Sequence, residues 1–165
     1  MARFIQAIVL ASVVWMVASQ GHGMTKSIVG PVEHLTLGKA SVRYLARIDT
    51  GAATTSLHAV NVRISDSSAR ASDNIGKVVR FTSRNELGQA QSLAAVVVDV
   101  IRVRNAQGTE SRYVVELPLT FNGHTREVRV NLRDRSRMKY KLLLGRNWLS
   151  GHHLVDVDRR PAGEE

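Results

Sequence analysis

One acidic side chain stands where an apolar run meets a loop of small residues. The segment reads Ala46-Arg47-Ile48-Asp49-Thr50-Gly51-Ala52-Ala53-Thr54-Thr55-Ser56-Leu57. A carboxylate so placed lies at the rim of a low-dielectric core, where local donors and nearby charges set its protonation. Gly51 lets the backbone come close to that carboxylate, and the Thr50 hydroxyl can fix the loop. The same residues also suit a plain Asp-Gly turn between strands, closed by an Asx-type hydrogen bond. Far downstream a second apolar run, Leu142-Leu143-Leu144, again passes into a glycine and a polar turn, Gly145-Arg146-Asn147-Trp148-Leu149.

Other chemistries find less support. His58, His124, His152, His153 and Asp156 are the candidate metal ligands, but no His-Glu-x-x-His pair exists and the chain has no Cys, so neither a zinc site nor a thiol nucleophile is expected. His152 and His153 are neighbours and would face opposite sides of a strand. No G-x-x-x-x-G-K-[ST] phosphate loop and no G-x-S-x-G elbow occurs, which argues against ATP binding and a serine hydrolase. No cofactor is expected.

The elements that must position these residues are mostly extended. With 165 residues, 44% hydrophobic and 22% charged, the composition is that of one folded domain over 27–158, with a polar tail over 159–165. Leu35–Leu37, Ala40–Ile48, Leu57–Ile64, Lys77–Thr82, Leu93–Val103 and His153–Val157 read as strands, and Ser65–Gly76 as a surface loop. Ser83–Gln91 reads as a hairpin tip. Tyr113, Val115, Leu117, Leu119 and Phe121 share one strand face. Asn122-Gly123 then tolerates positive φ at both turn positions, and Val128, Val130 and Leu132 continue the alternation. Pro118 requires an edge strand or a position without a ladder bond. Arg146–Ser150 fits one helical turn.

The chain carries 23 Lys+Arg against 14 Asp+Glu, a net charge of +9, which points to anionic partners. Arg126, Arg129, Arg133, Arg135, Arg137, Lys139 and Lys141 cluster between the hairpin and the apolar-Gly run. They suit an acidic peptide or an anionic surface, or form a solvated face with no partner. Aromatics make up only 5% of residues and no recognition helix is present, so a nucleic-acid partner is not expected. At the N-terminus a basic start, an apolar stretch Ala7–Ala18 and then Ser19, Gln20 and Gly21 follow the order of a secretory signal over 1–21. The same residues suit an uncleaved anchor at the inner membrane, or a true start at Met24. Export places the domain in the periplasm or on the outer face of the inner membrane.

Ile48-Asp49-Thr50-Gly51-Ala52 with Ser56-Leu57 resembles the catalytic loop of retropepsin-like aspartic proteases. Leu143-Leu144-Gly145-Arg146-Asn147 resembles their later apolar-apolar-Gly-Arg-Asn segment, and Asn122-Gly123-His124 falls where they have a tight turn. More narrowly, the chain is similar to a bacterial group catalogued as "ATP-dependent zinc protease", with its I-D-T-G-A-x-T-[ST]-[SA]-L-H-A start and L-L-G-R finish. That label fits residues without a zinc or ATP motif poorly. The resemblance implies an all-β closed barrel of the retropepsin-like acid-protease type, with one short helix after the apolar-Gly run. It implies hydrolysis of a peptide or isopeptide bond. Asp49 would be catalytic and, being one per chain, would need a homodimer. Thr50, Gly51, Ala52, Leu144, Gly145, Arg146 and Asn147 would support the loop. Asn85, Glu86, Leu87 and Gly88 would form the flap. An acidic peptide substrate is expected, since members are associated with glutamate-ligating enzymes. The alternative is a silent peptide-binding module with the same groove.

Overall fold

Alternating apolar and polar residues build this chain almost entirely from strands. A computed structural model describes residues 25–38, 42–105 and 108–161. The leader expected over 1–21 and the last residues of the tail, 162–165, lie outside the described residues. The strands are β1 (Ser27–Val29), β2 (Val32–Leu37), β3 (Val42–Ile48), β4 (Thr55–His58), β5 (Val60–Ile64), β6 (Val78–Arg84), β7 (Ala90–Asn105), β8 (Gly108–Phe121), β9 (His124–Arg133), β10 (Leu142–Leu144) and β11 (His153–Val155). One four-residue helix, α1 (Arg146–Leu149), follows β10.

Nine strands form one sheet in the order β2-β3-β10-β4-β9-β8-β7-β6-β5, while β1 and β11 form a separate parallel ribbon. Within the large sheet β2 also meets β8, through Thr36↔Thr120 and Leu37↔Leu119. Tyr44, Ala46 and Ile48 of β3 point into the core and Arg43 and Arg47 out of it, the period of two that a strand with one buried face demands. All four residues of β4 are buried, because β10 covers one edge of this strand and β9 the other. Asn122 (φ 48°) and Gly123 (φ 79°) close the β8–β9 hairpin, both with the positive φ that the sequence allows there.

Two expectations are corrected, and Pro118 takes the second of its two options. Leu57–Ile64 is two strands, not one. Asn61 adopts φ 52°, and the chain leaves the β9–β10 layer to pair with β6. The stretch 65–76 is more than a loop, since a 3-10 turn at Ala71–Asn74 buries Asn74. That side chain binds Ser68 N and O and donates to the Tyr113 hydroxyl at 3.0 Å. Pro118 is not in an edge strand. Its carbonyl accepts from Gly38 N, so its nitrogen faces the gap between β7, whose pairing stops at Val115, and β2, whose pairing starts at Leu119. No ladder donor is lost there.

Trp148 is buried and joins α1 to the ribbon. His153 stacks on its ring at 3.9 Å between centroids, and Phe121 meets it edge-on at 5.6 Å. Arg126 lies over the same ring and donates to Trp148 O at 2.7 Å. Burial first, then the charges of Arg126 and His152, push the His153 imidazole down to about 4 from 6.5. The unfolded chain therefore binds more protons than the folded one between these pH values, so stability rises with pH across the window and is lost as pH falls through it. The melting temperature is expected to drop on acidification from pH 6.5 toward 4. His153→Phe, which keeps a ring on Trp148, should make that drop shallower; an unchanged slope in thermal melts would show that His153 does not contribute. Burial acts in the same direction on His58, so part of the slope should remain.

Candidate active site

Asp49 sits immediately after β3, and hydrogen bonds fix its position. β3 and β10 run parallel with Ile48 opposite Leu144, and Asp49 N donates to Leu144 O at 2.9 Å. The carboxylate oxygen Oδ1 accepts from Gly51 N at 2.9 Å and Ala52 N at 3.1 Å. A side-chain carbon at Gly51 would stand 3.2 Å from that oxygen, a contact that leaves little room for any other residue. Asp49 is half-buried, and Thr50 and Gly51 are exposed.

The segment after β10 clasps this loop. Arg146 N donates to Ala52 O at 2.8 Å and Asn147 N to Ala53 O at 3.2 Å. The Arg146 guanidinium donates through Nη1 to Thr50 O and Gly51 O, at 3.1 and 2.8 Å. Asn147 Oδ1 accepts from both Thr55 N and Thr55 Oγ1, at 2.8 and 2.9 Å, while its Nδ2 donates to Arg129 O. Thr55 Oγ1 in turn accepts from Gly145 N at 3.3 Å. Leu144 and Gly145 are buried behind the loop. Thus Asp49, Thr50, Gly51, Ala52, Leu144, Gly145, Arg146 and Asn147 meet in one place.

Asn85–Gly88 is placed elsewhere. It is the turn between β6 and β7, with Gly88 at φ 84° and Leu87 78% exposed. Asn85 Nδ2 donates to Arg43 O at 2.8 Å, and Glu86 Oε2 accepts from Leu45 N at 3.1 Å. Those partners precede Asp49 by four to six residues of β3, roughly 13–20 Å of extended chain. The structure therefore does not bring this turn to Asp49.

The residues that do border the loop include two that sequence reasoning missed, Asn131 and Arg112, and one it named only within the basic cluster, Arg135. Asn131 of β9 is buried and donates to Thr54 Oγ1 at 3.0 Å and Thr55 O at 2.7 Å. Arg112 of β8, 7% exposed, reaches Asn131 Oδ1 at 3.4 Å. Arg135, 6% exposed, lies in the loop between β9 and β10. Its backbone N donates to His58 Nδ1 at 3.0 Å and its Nε to Tyr140 O at 3.0 Å. The charges of Arg133 and Arg112 add to burial in pushing the Arg135 guanidinium down to about 10, and the carboxylate of Asp49 opposes them. His58 is buried and accepts at Nδ1, so its neutral ring carries the proton on Nε2. Its interior position explains the lowered affinity for a second proton. The basic cluster is therefore not one solvated face: Arg135 is in the interior and Arg126 is tied to Trp148.

Residues 28–163 match a family model described as "RimB-like: Retropepsin-like aspartic endopeptidase RimB". A protein of Shewanella halifaxensis, named "Probable alpha-L-glutamate ligase", is 33% identical over 135 residues, which are 79% of this chain and 28% of that protein. A protein of the same name from Parasynechococcus marenigrum is 33% identical over 138 residues, 81% of this chain and 28% of that one. The chain thus spans little more than a quarter of the length of these relatives. The crystal structure of Lpg0085, a Legionella pneumophila protein of unknown function, superposes with a TM-score of 0.69 at 29% identity, over 85% of this chain and all of that one.

The tightest approach in the site gives a direct test. A methyl at Gly145 would stand 2.6 Å from Thr54 C, 2.8 Å from Thr54 O and 2.9 Å from Ala52 O. All three are backbone atoms and cannot swing aside. Gly145→Ala is expected to cost on the order of 2–3 kcal/mol in urea unfolding. An equally stable variant would mean that the loop yields easily.

Proposed function

This chain belongs to the RimB-like family of retropepsin-like aspartic endopeptidases, and from that premise we propose that it hydrolyses peptide or isopeptide bonds with two Asp49 side chains, one from each copy of a homodimer. The observation that carries this reading is a single carboxylate per chain, held at the exposed end of β3 by two backbone donors and backed by the α1 clasp. The strands β2-β3-β10-β4-β9-β8, with the β2–β8 contact, are read as the barrel that carries the loop.

Two carboxylates brought face to face do not both ionise, so the pair holds one proton. The ionised member takes a proton from water as the water oxygen attacks the scissile carbonyl carbon. The protonated member hydrogen-bonds the carbonyl oxygen and stabilises the tetrahedral adduct. Collapse of that adduct breaks the C–N bond, and the leaving nitrogen receives a proton from the pair. Arg146 holds the carbonyls of Thr50 and Gly51, so the two loops can approach across the axis without rearranging. Thr50, exposed at the loop's tip, is the residue read as touching its twin.

The substrate proposed is an acidic peptide. A net charge of +9 attracts it, and relatives bearing a glutamate-ligase name suggest glutamate as the residue concerned. The domain is read as exported, working in the periplasm or at the inner membrane's outer face. This rests on the order of residues in 1–21; among the described residues no helix is long and apolar enough to cross a membrane.

Asp49→Asn keeps the side chain's size and its acceptor for Gly51 N and Ala52 N. It is expected to lower cleavage of a glutamate-rich peptide library by at least about 10²–10⁴-fold while melting and sedimentation stay close to wild type. Wild-type turnover should persist in EDTA. Wild type that binds peptides and cleaves none would make the chain a peptide-binding module. Loss of activity with the chelator would point to a metal enzyme.

A further inference from the structure

Beside the Asp49 loop two guanidinium groups share one carboxylate and a third, that of Arg135, pairs with none. Glu110 Oε2 accepts from Arg112 Nε at 3.0 Å and Nη2 at 2.8 Å, and lies 3.9 Å from Arg133 Nε. Among the described residues, no carboxylate lies within ion-pair distance of Arg135. Its head group makes one hydrogen bond to the described residues, from Nε to Tyr140 O. A guanidinium has five N–H donors in a fixed fork. Burying such a group without a counter-charge is costly, and a folded chain tolerates it where an anion is to be bound.

The cluster is both built and open. Lys141 Nζ donates to the carbonyls of Arg135, Ser136 and Met138, which knots the loop and fixes the Arg135 backbone. Asn131 links Arg112 to Thr54 and Thr55 of the catalytic loop. The side chains of Arg133 and Glu110 are 28% and 44% exposed, so a ligand has an entry, and Glu110 is a partner that an incoming carboxylate can replace.

We propose that Arg135, with Arg112 and Arg133, forms a subsite beside Asp49 that takes a carboxylate of the substrate. Planar, two-pronged recognition of a carboxylate is what arginine supplies and lysine does not. This deepens the reading above and rests on it for the position of the substrate. The carboxylate is either a glutamate or aspartate side chain or the free C-terminus of a peptide. These two sources share one chemistry and imply different reactions, internal cleavage in the first case and trimming from the end in the second.

Binding measured apart from cleavage keeps the two readings separable. The full chain bearing Asp49→Asn is titrated calorimetrically with a short oligoglutamate peptide and with its glutamine counterpart, each with a free and an amidated C-terminus. At least one carboxylate should be preferred by about tenfold or more, the scale of a charge-assisted hydrogen bond. Preference for glutamate that survives amidation assigns the site to a side chain. Preference lost on amidation assigns it to the terminus. Arg135→Gln and Arg112→Gln should each erase most of the preference, and the half-exposed Arg133→Gln should reduce it should the buried variants not fold. Arg63→Gln and Arg80→Gln, on the exposed β5–β6 surface, remove the same charge and should leave it intact. Equal binding of all four peptides overturns the subsite. So does a preference that the surface variants reduce as much as Arg135→Gln does. Carboxylate-selective binding without cleavage by the wild type would leave the subsite standing and remove the hydrolytic reading.

Discussion

The structure depends on how closely two backbone segments can approach. Gly145 lies against Thr54 and Ala52 with no room for a side-chain carbon, and that approach lets Arg146 N and Asn147 N reach the carbonyls of Ala52 and Ala53. The parallel pairing of β3 and β10 ends at Leu144, and without that approach the Asp49 loop would be free on its outer side. With it, the six-residue loop 49–54 is held from behind by β10, from the side by Asn147 through Thr55, and from the front by the Arg146 guanidinium. Loops are the cheapest parts of a fold to deform. This one is fixed at nearly every carbonyl it presents, the preorganisation that a group reacting in a defined geometry requires.

The electrostatics run against stability in the same neighbourhood. Arg112 and Arg135 are almost wholly buried, within range of Arg133; among the described residues Glu110 pairs with Arg112, and Arg135 has only the more distant charge of Asp49. Desolvating like charges together is unfavourable whatever their hydrogen bonds, and the guanidinium of Arg135 reflects it by falling to about 10. The chain could have placed apolar residues there, as it does across the rest of the sheet. Positive charge retained in the interior next to Asp49 is therefore better explained by what it binds than by what it stabilises.

Much of this was legible from contiguous sequence. The Asp49 loop and the Leu142–Asn147 run are each legible within a dozen residues, because together and in that order they resemble two segments of a known family; Asp49-Thr50-Gly51 alone would suit a plain turn. The Asn122-Gly123 hairpin is equally local. What the sequence concealed depends on distant partners. The turn at Asn85–Gly88 reads correctly as a turn, yet its place is set by Asn85 and Glu86 binding backbone groups 41 and 42 residues away. Arg112 hides among 23 basic residues and Arg135 is legible only as one of a basic cluster, since no periodicity distinguishes a buried arginine from an exposed one. Asn131 occupies the polar phase of an alternating strand, where solvent is the default expectation; only the parallel pairing of β4 with β9 turns it toward Thr54 and Thr55.

The β1–β11 ribbon bears on the homodimer proposed above. β1 and β11 pair with each other in parallel inside one chain, braced by Arg159 Nη1 on Ile28 O and by the Ser27 hydroxyl against His153. A two-stranded ribbon is weak by itself, and here it is secured through the stacked His153 and Trp148. Among the described residues each of its strands has one unpaired edge, and Ile28 and Leu154, opposite one another in register, are 47% and 55% exposed. Because Ile48 N bonds Pro31 O just after β1, the ribbon lies on the same side of the sheet end as Asp49. A twofold contact that brought two Asp49 loops together would therefore also bring ribbons near one another. Their free edges and paired apolar side chains would gain partners in the same step. Backbone pairing alone, with the side chains of Ile28 and Leu154 left in water, would be a poor anchor; burying both pairs adds the area-proportional term that orders such edges. In the proposed homodimer, assembly and completion of the site would be one event, driven from the ribbon and felt at the Asp49 loop.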